Sequence, residues 1–123
     1  MTPLDIHKAT TDELVDRFAA VCVEQSKALD EDEIAKFNRL YDVMAAIRDE
    51  LKARSGDQRN ALLALFNHHN FQVQLQAARV TLAVAPAESR KLIEKIAASR
   101  WYPQAGDAGM TLANLDRGVF VPE

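Results

Sequence analysis

The feature that most constrains this chain is an internal repeat. Shifted by thirty residues, segment 62–83 falls on segment 92–113. Six pairs are identical: Leu62 with Leu92, Gln74 with Gln104, Ala78 with Ala108, Thr81 with Thr111, Leu82 with Leu112 and Ala83 with Ala113. Four more keep their character: Leu63 with Ile93, Phe66 with Ile96, Phe71 with Trp101 and Val80 with Met110. Unrelated segments of such composition should agree at only about one or two positions. A helix–turn–helix unit of this length cannot bury its apolar side alone, so its copies must stack. The expected organisation is one domain over 1–123. It comprises a flexible tail at 1–10, a helix pair at 11–54, and repeats at 57–85 and 86–118.

Spacing makes the same case physically. Phe71, Leu75, Ala78, Leu82 and Ala85 line one face of a helix predicted over 71–85. Trp101, Ala105, Ala108, Leu112 and Leu115 repeat that stripe in a helix that follows Trp101-Tyr102-Pro103 and stops at Gly118. Phe71 and Trp101 are both expected in the core, wedging the bend before each helix. The 71–85 helix carries a second apolar stripe, Val73, Ala77, Val80 and Val84, and should be buried on two sides. Pro103, Asp107, Met110 and Asn114 stand at the matching places in the last helix. That helix should therefore close the stack, with a polar outer side facing water. Between the two, Pro86 opens a helix running to about Arg100, with Leu92, Ile93 and Ile96 inward. A helix over about 57–67, capped by Ser55 with Gln58, presents Leu62, Leu63 and Phe66, and Asn70 caps the helix that follows.

The first half of the chain reads as two longer helices. Thr10 and Glu13 have capping-box spacing for a helix over about 12–29, whose buried face holds Leu14, Val15, Phe18, Ala19, Cys22 and Leu29. A second helix over about 31–53 should bury Ile34, Phe37, Tyr41, Met44, Ile47 and Leu51. Its start gathers Asp30, Glu31, Asp32 and Glu33, where the helix dipole favours carboxylates, and Gly56 ends it. The acidic run lacks the alternating oxygen ligands and central Gly of a calcium loop.

Composition narrows the function classes. Fifteen basic against eighteen acidic residues, a net charge of −3, argue against nucleic acid as a partner. No window approaches the ~18 apolar residues of a membrane span, and the N-terminus has no signal-peptide pattern, so the expected location is cytoplasmic. The single cysteine, Cys22, sits in an apolar stripe and reads as a buried structural thiol. Phosphate-cradling loops, nucleophile elbows and metal-binding spacings do not occur, so no enzyme, cofactor or metal site is expected. Gly106 and Gly109 read as places for close helix packing or a strained helix start.

Val73, the pair Ala77-Ala78 and Leu82, within NHHNFQVQLQAARVTLAVAP, resemble a HEAT-type helical repeat. One departure is Gln74, where such repeats usually carry an Arg that links neighbouring units. The segments DEIAKFNRLYD (32–42), GDQRNALL (56–63) and YPQAGDAGMTL (102–112) are similar to a short bacterial domain-of-unknown-function family. The resemblance covers about residues 10–122. It implies an all-α fold of about six helices, a right-handed HEAT-like (armadillo-type) stack of antiparallel helix pairs, and a bacterial origin. It implies no activity, substrate or catalytic residue.

His68 and His69 are the residues closest to metal chemistry. The repeat sets them opposite Ala98 and Ser99, so the same bend is made elsewhere without histidine. Adjacent imidazoles at a helix end should diverge, and no Cys, Asp or Glu stands nearby at ligand spacing. Binding candidates lie elsewhere. Gln72, Gln76 and Arg79 form a polar stripe that, if exposed, suits peptide recognition. Arg100, Tyr102 and Asp107 surround a corner where an exposed aromatic can anchor a partner or simply bond to nearby backbone. The function expected is a protein- or peptide-binding adaptor, immunity- or antitoxin-like in one version. Two rivals are a small-molecule or enzymatic site built between helices and a structural homodimer.

Overall fold

A computed structural model of the chain describes residues 5–123. Among these residues every element is helical: α1 (Thr11–Asp30), α2 (Ile34–Ala53), a 3-10 helix (Gln58–Asn67), α3 (Phe71–Thr81), α4 (Pro86–Ala98) and α5 (Gln104–Asp116). The chain divides into two compact units between Ala61 and Leu62.

In the first unit α1 starts at the expected capping box. The Thr10 hydroxyl accepts from the Glu13 amide, and the Glu13 carboxylate accepts from the Thr10 amide. α1 packs along α2. It buries Leu14, Val15, Phe18, Val21, Cys22 and Ala28, while α2 buries Met44, Ile47 and Leu51. The first half of the predicted α2 stripe is only partly covered: Phe37 is half-buried, while Ile34 is 69% and Tyr41 41% exposed. The acids do not lie in its first turn either. α1 ends in a Schellman turn, in which Asp32 takes a positive φ of 57°, the Glu33 amide bonds Ala28 O and the Asp32 amide bonds Leu29 O. That turn absorbs residues 31–33, so α2 begins three residues later than the charge pattern suggests.

Residues 5–10, expected within a flexible tail, are tied to the end of α2. Arg54 donates to the carbonyls of Ile6 (3.1 Å) and Ala9 (2.7 Å) and pairs with Glu50 at 2.9 Å, and Glu50 also meets His7. Residues 1–4 of that expected tail lie outside the described residues. Ser55 makes no cap. Asp57 instead accepts from the Arg59 amide and holds the Arg59 guanidinium through both carboxylate oxygens.

In the second unit α3, α4 and α5 pack in succession around Leu75, Ala78, Leu82, Leu92, Ile93, Ile96 and Ala108, with Phe66, Leu112, Leu115 and Phe120 against them. The later members of both predicted stripes therefore share one core, while Phe71 at the head of the first is only half-buried. Asn70 caps α3 as expected, accepting from the amides of Gln72 and Val73. α3 stops at Thr81 rather than Ala85: the Leu82 and Val84 amides take tighter i→i−3 bonds to Arg79 O and Thr81 O, and Pro86 drives Ala85 itself out of helical geometry, to φ −143°, ψ 64°. Gly118 (φ 71°) ends α5 in a second Schellman turn, with Val119 bonding Asn114 O. Trp101 is not in the core. It lies before α5, 64% exposed, its ring edge-on to that of Phe71 at 6.0 Å. The α5 helix starts three residues after the place its repeat partner would set, which swings Trp101 outward.

Candidate functional site

The polar stripe of α3 is buried rather than solvent-facing, and α5 is what covers part of it. Gln72 is 1% and Gln76 3% exposed. The Gln104 amide donates to Gln72 Oε1 at 3.1 Å. Arg79 donates through Nε to the Thr111 hydroxyl at 2.9 Å and through its terminal nitrogens to Gln76 Oε1 and Asp107 O. Its guanidinium also lies 3.8 Å from the Asp107 carboxylate. Pairs 72–104 and 79–111 both increase along the chain, so α3 and α5 run in the same direction, bridged by a polar seam. The equivalent threonines make equivalent bonds. Thr81 Oγ lies 2.8 Å from Ala77 O and 2.7 Å from Ser89 Oγ on α4. Thr111 donates to Asp107 O at 3.0 Å while receiving Arg79. Gln74 folds back onto His68 O, and Arg79 makes the cross-helix link.

Of the six candidate residues, Gln72, Gln76, Arg79 and Asp107 thus meet at one seam. Arg100 and Tyr102 stand apart, in the corner that leads into α5. Arg100 takes a positive φ of 62°, and Tyr102 is 70% exposed with its ring beside Gly106. The outer face of α5 continues from this corner through Gly106 and Asp107 to Met110, itself 60% exposed. It was expected to be polar. Of the four expected residues Pro103, Asp107 and Met110 are exposed and Asn114 is half-buried, but beside them stand the exposed Tyr102 ring and Gly106, so the face joins an aromatic ring, a glycine and a thioether to polar margins. Sequence reasoning singled out the Tyr102 corner of this surface but not its continuation to Met110, which it placed on a polar cap. The signal was available in the repeat: Tyr102, Gly106 and Gly109 replace the long polar Gln72, Gln76 and Arg79.

Neither glycine serves the chain's own packing. Both have ordinary helical φ. A Cβ at Gly109 would meet nothing within 4 Å, and at Gly106 only the Tyr102 ring at 3.7 Å, an ordinary contact. The expectation of close packing or strain at these two residues is not met within the chain.

His68 and His69 do not diverge. Their rings stack at 4.4 Å and 22°, and His68 Nδ1 accepts the Asn70 amide at 3.0 Å. Partial burial, and then the neighbouring His69, lower the His68 pKa. Among the described residues no group of three His, Cys, Asp or Glu side chains converges on a metal position. Cys22 is fully buried, and burial pushes its thiol pKa far up. No helix of the described residues is long and apolar enough to cross a membrane.

These features define an all-α protein, with six helices among the described residues, whose distinguishing surface is the last helix and the aromatic corner before it. The chain belongs to a family described as a domain of unknown function, DUF2019, whose model matches residues 12–116. It is similar to the crystal structure of the protein RPA1889 from Rhodopseudomonas palustris CGA009. The two are 59% identical, with a TM-score of 0.94, over 98% of this chain and 100% of that one. No curated protein matches the chain.

Proposed function

We propose that this chain is a protein-binding module, a HEAT-like helical stack in the cytoplasm, and that its partner seats on the outer face of α5. One observation carries the reading. The face that α3 presents to α5 recurs thirty residues later on α5, and there it is uncovered and apolar. Tyr102 and Met110 are large, exposed and of the types that dominate binding interfaces or line adaptable ones. Arg100 and Asp107 supply a polar rim. Binding rather than catalysis accounts for the candidate residues, since Gln72, Gln76 and Arg79 are engaged in the α3–α5 seam.

A photoreactive residue in place of Met110 tests this in the native host. Covalent adducts should form from position 110 and not from the exposed Lys91 on α4. Equal or no labelling at the two positions would refute the reading.

A further inference from the structure

We propose that the bend before α3 is a pH-sensitive latch, closed while His68 is neutral and opened when it takes a proton. The latch is a short chain of bonds. His68 Nδ1 accepts the Asn70 amide at 3.0 Å, which holds Asn70 where its Oδ1 accepts the amides of Gln72 (2.8 Å) and Val73 (3.3 Å). Those two are among the N–H groups that a helix start leaves without an intrahelical partner. Gln74 closes the loop by donating from its side chain to His68 O. The His68 ring also stacks on that of His69, at 4.4 Å and 22°.

The first bond of that chain requires a neutral ring. A protonated imidazole carries N–H on both nitrogens, so Nδ1 would confront the Asn70 amide with a second donor. A proton on each ring would set like charges against each other across the stack. Among the described residues no carboxylate pairs with His68, and His69 is the one titratable group that acts on its charge. No charged residue of α4, α5 or the corner between them, Arg100 included, offsets the added proton. The bend before α5 makes a comparable bond without a titratable group: the Ser99 hydroxyl accepts the Trp101 amide at 3.1 Å. One device, a side chain accepting the amide two residues on, is thus built from an imidazole before α3 and from a hydroxyl before α5. Only the imidazole makes its bend depend on pH. Opening would loosen Phe71, the first residue of α3, whose ring meets Trp101 edge-on at 6.0 Å, so the effect reaches the aromatic corner.

Amide hydrogen exchange of the full chain followed by NMR, corrected for the intrinsic effect of pH on exchange, reads the latch directly. From about pH 7.5 to 5.0, protection of the Asn70, Gln72 and Val73 amides should fall by more than about threefold while that of Trp101 holds. His68→Asn keeps an acceptor near the Nδ1 position and cannot titrate, so its protection at these amides should be the same at both pH values. Unchanged protection in the wild type, or the same loss in His68→Asn, overturns the proposal. An equal loss at Trp101 would mean a general loosening in acid and overturns it as well. Should His68→Asn fail to fold, the wild-type ring decides. Its imidazole nitrogen shifts must place the proton of the neutral ring on Nε2, and a proton on Nδ1 sinks the latch.

Discussion

At the scale of single residues the turns decide more than their composition suggests. Asp32 holds the left-handed place that glycine usually fills at a helix end, with φ 57° and an exposed side chain. Asp32→Gly removes that backbone cost and should stabilise the protein by about 0.5–1 kcal/mol in urea unfolding. His68 is a second case. Its pKa is lowered in the folded state, so folding favours the neutral ring, and protonation would also cost Nδ1 its bond from the Asn70 amide. The sign follows: this contribution is full above the unfolded histidine value near 6.5 and is lost progressively as pH falls from there through the lower folded value. Stability measured from about pH 7.5 down to 5.5 should fall more steeply for wild type than for His68→Gln. Thr10 and Asn70 could be assigned as caps from sequence because capping is local chemistry. The His68–His69 stacking could not, because it depends on the path of the chain through the bend.

Among elements, α3 and α5 show how one repeated pattern yields two environments. Arg79, with a half-buried guanidinium, donates across the seam to the Thr111 hydroxyl and the Asp107 carbonyl and along its own helix to Gln76. Arg79→Ala should destabilise the chain by about 1–3 kcal/mol. A double-mutant cycle with Thr111→Val should return a coupling of about 0.5–1.5 kcal/mol, and a coupling near zero would remove the seam from the account. The open space around Gly109 gives the opposite sign. Gly109→Ala should raise the stability of the isolated chain by about 0.5–1 kcal/mol, read as an increased Tm in dilute solution. The apolar spacing of α3, α4 and α5 was sufficient to name their core. It was insufficient for α2, where Ile34 and Tyr41 keep the helical period yet stay exposed. Periodicity identifies a face and leaves open whether anything covers it.

For the whole molecule, charge and pattern set the class of partner. With 15 basic and 18 acidic residues, the chain has little electrostatic attraction for a polyanion. In a fluorescence-anisotropy titration with duplex DNA at physiological salt, no binding should appear below about 100 μM. Sequence alone determined the helical class, the thirty-residue repeat, the caps at Thr10 and Asn70, the stop at Gly118 and the apolar core of the second half. All of these follow from local conformational preference and from which side chains must leave water. Tertiary structure decided that Gln72 and Gln76 are buried, that Arg79 crosses to α5, that Trp101 turns outward and that Met110 lies on an open face. The reason is physical: a side chain's solvent exposure depends on which other helix lies over it, and two copies of the same pattern differ when only one of them has a neighbour.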